Sequence, residues 1–439
     1  MGMVGVNVRR STMVRPAEAT PRRRLWISNV DQVAHRHHTL SVFFYRPDGS
    51  ANFFDAAVLR DALARVLVHF YPMAGRLARG EDGRIVIDCN GEGALFVEAD
   101  AEATVDDFAD CAPTGEMEQL IPRADYTGGI SAFPLWILQV TRFKCGGAAL
   151  GVGTQHHVVD GFSALHLLNS WADVARGVGI TVQPFFDRTL LRARHPPNPS
   201  FDHVEYQPPP SMNTSADVNS AGVVPSSGAV AVRVFKLTRE QLNLLKAKAP
   251  PGGSYSTYVL IAAHVWRCAC IARGLPPDQM TRLYIVTNGR KRFQPPLPQG
   301  YFGNVIFAAA PIAAAKEVAS PEGGPSPAAK TIQEALLRVD AGYMQSALDY
   351  LEMQPNLEAL VKGPHTYRCP NLGLISWVGL PVYDADFGWG RPSFLAPGRI
   401  GYEGKAFVLP SAAGDSGLLV AISLQPDHMV KFQELINDI

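Results

Sequence analysis

The chain has 439 residues, 47% of them hydrophobic and 18% charged, so it is long enough to form two domains with separate cores. Lysine plus arginine and aspartate plus glutamate each number 40, a balance that argues against a nucleic-acid or membrane-surface binder. No apolar run has the length of a signal-peptide core or a membrane span, and we therefore expect a cytoplasmic protein and a monomer.

The six cysteines are scattered and form no Cys-x-x-Cys pair. Even the close pair Cys268 and Cys270 lies in a helical pattern, where the two side chains diverge. In a reducing compartment such residues are small buried hydrophobic groups, so we predict neither disulfides nor a metal site.

The sequence pattern of the N-terminal half predicts alternating strands and helices. A strand at 41–45 precedes a helix capped by Asp55. The segments 83–89 and 94–99 alternate like strands, and Asn90-Gly91 between them predicts a hairpin.

Two further strands, 135–143 and 148–155, are predicted to join through Gly146-Gly147. A helical pattern begins at Phe162, which we place on its apolar face, and ends at Gly177.

Residues 195–229 are rich in proline, serine, asparagine and glycine and contain few large apolar side chains. We interpret them as a crossover linker that cannot bury a core. This interpretation places an N-terminal domain at 1–194 and a C-terminal domain at 230–439.

The C-terminal half is again α/β in pattern. A strand at 230–235 leads to a helix with a capping box formed by Thr238 and Gln241. A mostly apolar helix, 256–273, should be buried, and a strand at 283–287 follows it. The segment 313–328 is interpreted as a loop.

The start of the helix at 256 is a candidate phosphate site, because hydroxyls and free amides at a helix N-terminus favour anions. Ordinary capping of the helix explains the same residues, since no Walker or Rossmann glycine spacing is present. The candidate residues are Ser254, Ser256 and Thr257, with Lys246 and Lys248 upstream.

The segment 156–161, His-His-Val-Val-Asp-Gly, lies where the strand at 148–155 gives way to a helix. Such a junction holds a side chain rigidly at a cleft, and an imidazole is neutral and proton-accepting near cellular pH. His156 is thus a candidate general base, although a buried core histidine would give the same pattern. Asp160 either orients the ring or holds the turn by pairing with a distant arginine.

Two motifs in combination carry a family resemblance: His156-x-x-x-Asp160 and Asp-Phe-Gly-Trp-Gly at 386–390. With the stretches 71–77, 301–304 and 369–373, they make nearly the whole chain similar to the BAHD family of plant acyl-coenzyme A-dependent acyltransferases. The resemblance implies an α/β fold of two chloramphenicol-acetyltransferase-like domains, each a mixed β-sheet flanked by helices, with a solvent channel between them.

The same resemblance implies roles for individual residues. His156 would deprotonate the acceptor without a covalent intermediate, Asp160 would support the turn with Arg290 as a candidate partner, and the indole of Trp377 would stabilise the oxyanion. Core packing is the alternative for Trp377. The coenzyme A thioester is a co-substrate, no cofactor is implied, and the pentapeptide at 386–390 is structural. The coenzyme A contacts are assigned to Ser254, Ser256, Thr257 and Arg290.

The branch that the chain resembles transfers hydroxycinnamoyl groups to shikimate or quinate. Relatives that use shikimate carry arginine, threonine, tyrosine and proline where this chain has Lys362, Ile375, Phe43 and Leu40. A lysine keeps the positive charge but loses the bidentate fork. The substrate-binding residues that the resemblance implies are Thr39, Ser41, Phe43, Lys362 and Ile375.

We therefore expect transfer of a p-coumaroyl or caffeoyl group from coenzyme A to a hydroxyl of shikimate or quinate. Another hydroxy acid, a glycerol-like polyol or an amine is the alternative acceptor, and an amine should require an acidic residue in the pocket. A different class of function is a non-catalytic relative that only binds acyl-coenzyme A.

Overall fold

The computed structural model describes residues 5–113, 115–212, 230–249, 255–320, 326–411 and 416–439. Two large β-sheets with helices packed against them organise these residues. The strands are β1 (Val6–Val14), β2 (Arg24–Trp26), β3 (His38–Tyr45), β4 (Arg76–Arg79), β5 (Ile85–Asp88), β6 (Ala94–Ala101), β7 (Trp136–Phe143), β8 (Ala148–Gln155), β9 (Ala231–Leu237), β10 (Met280–Asn288), β11 (Ile306–Ala309), β12 (Ile312–Ala314), β13 (Leu372–Ser376), β14 (Phe394–Pro397), β15 (Lys405–Pro410) and β16 (Leu418–Leu424).

The helices begin at polar caps wherever the sequence supplies them, including Asp55 and Thr238 as predicted, and Ser256, for which capping was the alternative to a phosphate site. Short 3-10 turns lie at Tyr71–Ala74, Val105–Phe108, Arg188–Leu191, Val204–Tyr206 and Leu357–Leu360. The α-helices are α1 (Asn29–Gln32), α2 (Ala56–His69), α3 (Gly115–Glu118), α4 (Gly161–Ala175), α5 (Arg239–Ala247), α6 (Thr257–Ala272), α7 (Ala315–Val318), α8 (Ser326–Arg338), α9 (Ala341–Glu352), α10 (Pro364–Tyr367) and α11 (Pro426–Leu435).

The first large sheet has the order β1-β6-β7-β8-β3-β14 and mixes parallel with antiparallel pairs. Helices α2 and α4 pack on one of its faces, where they bury Phe43 and Tyr45 of β3 in a common core. The alternate residues Val42 and Phe44 point to the other face and join a second core with Phe108.

The second large sheet has the order β11-β10-β13-β15-β16-β9, with β12 paired to β10. Helix α6 is buried against it, as its apolar composition predicts, and packs on α8 and α11. One face of this sheet buries Leu374 and Ala406 in the helical core, while Ile375 and Phe407 project from the opposite face.

The expected α/β fold with two sheet-based halves is confirmed, but the hairpin predicted through Asn90-Gly91 is wrong. β5 pairs with β2 and β4 in a small three-stranded sheet, whereas β6 pairs with β1 and β7. Asn90 and Gly91 lie in the connection between β5 and β6, with Gly91 at φ 69°, and this connection passes the chain from one sheet to another. Pairing with strands that are distant in the sequence, and not the local turn signal, determines the partners of β5 and β6.

Three other expectations need correction. The supposed loop at 313–328 contains α7 and the start of α8. Phe162 is 39% exposed and lies outside the buried face of α4. The described part of the linker, 195–212, buries His203 and Glu205 beside α9, so this segment contributes to the interior. Residues 213–229 lie outside the described residues.

The division into domains at 195–229 is a proposal that the two sheets support, with one exchange between the halves. β14 pairs with β3 and completes the first sheet, although it comes from the C-terminal half of the sequence. Phe387 and Trp389 of the pentapeptide also pack in the core beneath α2 and α4. The C-terminal half therefore sends one segment back onto the N-terminal sheet.

The pentapeptide is a tight loop held by its own aspartate. Asp386 Oδ1 accepts hydrogen bonds from the amides of Gly388 (2.8 Å) and Gly390 (3.0 Å). Both glycines have positive φ, 104° and 99°, which side chains disfavour. None of the helices in the described part of the chain combines the length and apolarity that crossing a bilayer requires.

Replacement of Asp386 by alanine should reduce stability and leave the chemistry intact, because Asp386 holds the loop that places Phe387 and Trp389 in the core. Loss of two hydrogen bonds to a carboxylate predicts a fall of about 1–2 kcal/mol in the free energy of unfolding, measured by urea denaturation. A variant that unfolds at the same urea concentration as the parent would show that the aspartate does not hold the loop.

Candidate active site

His156 occupies the short connection between β8 and α4. β8 is buried along its whole length between β7 and β3, which fixes the backbone before the histidine. The imidazole is half-buried and lines a large cavity. The structure places His156 at a cavity and not in a sealed core, and its role as general base stays a prediction.

The cavity lies between the two large sheets and has a volume of about 1340 Å³. Pockets for one drug-sized ligand are typically about 300–1,000 Å³, so this space is large enough for two substrates. Both halves of the chain supply its lining. His35 and His156 come from the first half, and Trp377, Lys405 and Phe407 come from the second.

Asp160 is buried and caps α4, where its Oδ1 accepts a hydrogen bond from the amide of Ser163 at 3.0 Å. Both carboxylate oxygens also bind Arg290, with Oδ2–Nη1 at 2.7 Å and Oδ1–Nη2 at 2.9 Å. The amide of Val305 donates to Oδ2 at 3.0 Å. The carboxylate therefore supports the turn and points away from the imidazole.

Burial alone would raise the pKa of Asp160, but the guanidinium of Arg290 and the amide donors outweigh burial, and the net pKa lies below its ordinary value. Arg290 also donates to Ser163 Oγ and to the carbonyl of Gly303, each at 2.8 Å. The guanidinium is largely committed to this network. Its assignment to coenzyme A stays a prediction that these contacts do not favour.

Asn304 fixes the imidazole from the other side. Its Nδ2 donates to the carbonyl of His156 and to Asp31 Oδ1, both at 2.8 Å, so its Oδ1 is oriented as an acceptor. That oxygen lies 3.2 Å from His156 Nδ1. The network assigns the proton to Nδ1 and leaves Nε2 as the basic nitrogen, with no protein partner among the described residues.

A buried group of charges supports Asn304. Asp31 Oδ2 accepts from the amide and the hydroxyl of Ser28, each at 2.8 Å, while Oδ1 accepts from the Asn304 amide. Arg188 Nη1 lies 3.2 Å from Asp31, and its Nη2 donates to the carbonyl of Val158. In the sequence, Asn304 belongs to the stretch 301–304 that carries part of the family resemblance, and no role was predicted for these residues.

Enclosure of the ring lowers the pKa of His156 below its ordinary value, with Lys405 adding to the shift while Asp160 opposes it. A histidine of lowered pKa is neutral at cellular pH and can accept a proton.

Trp377 lies just beyond β13 and lines the same cavity. Its backbone amide is bound to the carbonyl of Val408, and its ring packs on Phe407 with a centroid separation of 5.4 Å. Among the described residues, none accepts a hydrogen bond from the indole nitrogen. Its role as an oxyanion donor stays a prediction.

The predicted substrate-binding residues all line the cavity. Thr39, Ser41 and Phe43 alternate along β3 and so share one face. Lys362 and Ile375 face them from the other half of the chain. Lys362 Nζ lies 4.9 Å from the centroid of the Tyr206 ring and 5.9 Å from that of Tyr284.

The predicted coenzyme A residues at the start of α6 are not brought into this cavity. Ser254 lies outside the described residues. Ser256 caps α6 by accepting from the amide of Val259, and neither Ser256 nor Thr257 lines the cavity, although Tyr258 does. The phosphate site stays a prediction, and the capping alternative matches the observed contact.

Lys405 is a cavity residue that sequence reasoning missed. It begins β15 and is half-buried, and burial lowers its pKa to about 8. A single lysine in an alternating strand carries no sequence signal that it faces a cavity, because the facing groups come from the other half of the chain.

Comparisons with known proteins agree with this geometry. A family model described as the Transferase family matches residues 4–438. A hydroxycinnamoyltransferase of Narcissus pseudonarcissus is 60% identical, with 99% of this chain and 100% of that protein covered. The shikimate O-hydroxycinnamoyltransferase of Nicotiana tabacum is 56% identical, with 99% of each chain covered.

A hydroxycinnamoyl-CoA:5-hydroxyanthranilate N-hydroxycinnamoyltransferase of Avena sativa is 60% identical over 99% of this chain and 100% of that protein. A solved structure of F. graminearum TRI101 complexed with coenzyme A and T-2 mycotoxin superposes with a TM-score of 0.76 at 16% identity, covering 94% of this chain and 97% of that one, and so shares the fold. The chain is an acyltransferase. It belongs to the Transferase family, the BAHD acyl-coenzyme A-dependent acyltransferases.

Replacement of Asn304 by alanine removes the acceptor that keeps the proton on His156 Nδ1. The imidazole should then adopt either tautomer while the ring stays in place. We expect kcat to fall about tenfold or more, within the range for a residue that supports a general base, with little change in the KM of the thioester. Steady-state kinetics measure both. An unchanged kcat in a correctly folded variant would rule out the positioning role.

The pH dependence of the reaction should reflect the lowered pKa of His156. Because the neutral imidazole persists to lower pH than an unperturbed one, the acid limb of kcat/KM should lie below about pH 6.5, the ordinary histidine value. An acid limb centred above that pH would contradict the inferred environment.

Proposed function

We propose that this enzyme transfers a hydroxycinnamoyl group, p-coumaroyl or caffeoyl, from its coenzyme A thioester to a small acceptor that carries a carboxylate, with shikimate or quinate as the first candidates. The observation that carries the proposal is the state of His156. Its Nδ1 is bound to Asn304, and its Nε2 has no protein partner among the described residues of the cavity.

The reaction follows from that arrangement. His156 Nε2 takes the proton of the acceptor hydroxyl as the oxygen attacks the thioester carbonyl, which gives a tetrahedral oxyanion. The indole N–H of Trp377 is the proposed donor to that oxyanion. Collapse breaks the carbon–sulfur bond, and the imidazolium returns its proton to the departing thiolate. No covalent enzyme intermediate is needed.

The apolar side of the lining supports an aromatic acyl group. Ile375 and Phe407 come from one sheet and Phe43 from the other, so a flat cinnamoyl group has apolar surface on both sides. The relatives at 56–60% identity are named for hydroxycinnamoyl transfer, which supports the same donor.

The charges of the lining support an acidic acceptor. Lys362 is held over two tyrosine rings, and burial lowers its pKa, which Glu205 opposes and Arg282 reinforces. No described carboxylate forms an ion pair with it. Shikimate and 5-hydroxyanthranilate, the acceptors in the names of two relatives, are both carboxylic acids.

A polyhydroxylated ring would meet fewer partners here than in enzymes with threonine and tyrosine at the corresponding positions. Ile375 and Phe43 offer no hydroxyl that could hydrogen-bond the ring of shikimate. These two residues therefore discriminate poorly between shikimate and other acceptors. Lys362 would attract the carboxylate but orient it less than an arginine fork would.

Amide formation is the second candidate, and the oat relative favours it. An aliphatic amine is a cation at neutral pH and would require an acidic partner, whereas the described lining offers only Glu118, bound to Arg399, and Asp160, bound to Arg290. An aromatic amine is neutral and needs no such partner. Aminobenzoic acids, in which the amine is bonded directly to the ring, therefore fit the cavity better than polyamines.

The non-catalytic alternative requires that the catalytic arrangement be dispensable. His156, Asp160 and Asn304 form a complete and connected network, so we place catalysis ahead of simple binding.

The test is incubation of the purified protein with p-coumaroyl-CoA and shikimate, quinate, malate, glycerol, tyramine, agmatine or 5-hydroxyanthranilate, followed by identification of products by mass. We expect products with the acids. Products only with tyramine or agmatine would overturn the acidic acceptor, and no product with any acceptor would favour the non-catalytic relative.

The double substitution Lys362→Arg with Ile375→Thr should improve shikimate use, because it restores a bidentate fork and a hydroxyl. We expect kcat/KM for shikimate to rise about tenfold, the effect of one well-formed charged hydrogen bond. The KM for p-coumaroyl-CoA serves as the control and should stay the same. An unchanged kcat/KM would mean that these residues do not contact the acceptor.

A further inference from the structure

Lys405 is a cation without an ionic partner inside the cavity. Its Nζ lies 5.6 Å from the centroid of the Tyr402 ring and 5.3 Å from that of Phe407. None of the described carboxylates affects its pKa, for which burial is the only cause of the shift to about 8. A lysine of this pKa is mostly protonated at pH 7.

Burial of an unpaired ammonium group is costly, and proteins usually pair such a charge or place it where a ligand will. The two aromatic faces recover only part of this cost. Lys405 therefore has unused capacity to bind an anion.

Lys405 lines the same cavity as His156. Its charge lowers the pKa of both His156 and His35, so it acts within electrostatic range of the general base. The Lys405 ammonium lies over the ring of Tyr402, and the Tyr402 hydroxyl is hydrogen-bonded to His35 Nε2 at 2.5 Å. Phe407, the other ring, packs on Trp377.

Lys362 lies in a different electrostatic environment. The charges that affect its pKa are those of Glu205 and Arg282, and it is not among the groups that affect His156. The described lining of the cavity thus contains two lysines without an ion pair, and their ammonium groups lie over different pairs of aromatic rings.

We propose that Lys405 binds the carboxylate of acceptors in which the reacting amine or hydroxyl is on the carbon adjacent to the carboxyl-bearing carbon. This inference rests on the proposed function and names its substrate class: ortho-amino or ortho-hydroxy aromatic acids and aliphatic β-hydroxy acids.

The geometry of such acids gives the reason. In the proposed pose, the reacting nitrogen or oxygen reaches His156 Nε2, and the carboxylate on the adjacent carbon is directed toward Lys405. In an acid whose reacting group is further from the carboxylate, the same attack places the charge elsewhere, where Lys362 can bind it.

The chemical step is unchanged. The amine nitrogen bonds to the thioester carbon, His156 takes the proton that the nitrogen loses, and the carbon–sulfur bond breaks to give coenzyme A and the amide. The Lys405 ammonium contributes an ion pair to the bound acceptor and takes no part in proton transfer.

The experiment compares two isomeric acceptors, 5-hydroxyanthranilate and 3-amino-5-hydroxybenzoate, with p-coumaroyl-CoA as donor. The isomers carry the same groups, but the second has its amine one carbon further from the carboxylate. We expect the parent enzyme to prefer the first, and Lys405→Met to lower that preference about tenfold or more through KM, the effect expected for loss of a charged hydrogen bond.

Three variants control the comparison. Lys316→Met removes an exposed lysine that pairs with Asp278 and should leave the preference as in the parent. Lys405→Arg keeps the charge and should retain most of the preference. Lys405→Gln is measured in the same way if the methionine variant does not fold.

An unchanged preference in Lys405→Met or Lys405→Gln would overturn the inference. So would a rise confined to the KM of p-coumaroyl-CoA, because Lys405 would then bind the donor. If the parent forms a shikimate ester but does not acylate 5-hydroxyanthranilate, this inference fails and the proposed function stands. If the parent acylates none of the acids, the proposed function itself fails.

Discussion

The ion pair between Asp160 and Arg290 joins the two halves of this enzyme at its reaction centre. One carboxylate caps the helix that follows the catalytic turn, binds both terminal nitrogens of the guanidinium and accepts the amide of Val305. Each buried carboxylate oxygen accepts two hydrogen bonds. These bonds offset the free-energy cost of burying the charged pair, and they require donors from both halves of the chain. Removal of one partner would leave an uncompensated buried charge.

Around this pair, the imidazole of His156, the proposed general base, is held from two directions. The turn capped by Asp160 fixes the backbone of His156, and Asn304, itself oriented by Asp31, fixes the ring and its tautomer. The two sheets then divide the remaining work. β3 offers Thr39, Ser41 and Phe43 to the cavity, while the C-terminal half supplies Lys362 and Lys405.

Local signals in the sequence predicted local structure well. The helix caps at Asp55, Thr238 and Ser256 and the strand-to-helix junction at His156 were predictable because each depends on a few adjacent residues. The hairpin at Asn90-Gly91 was mispredicted because a turn signal does not specify which strands pair. No local sequence signal indicates that β14 pairs with β3 in the first sheet.

The same distinction holds for the site. His156 and Asp160 carry a motif and could be proposed from the sequence, whereas the contact between His156 and Asn304 joins residues 148 positions apart and Lys405 carries no motif. The central claim is that His156 is the general base. Single-turnover measurement of acyl transfer by His156→Ala tests it most directly. A rate reduced by about 10²–10⁴, with thioester binding and melting temperature retained, is the predicted result; a folded variant that transfers the acyl group at the parent's rate would contradict it.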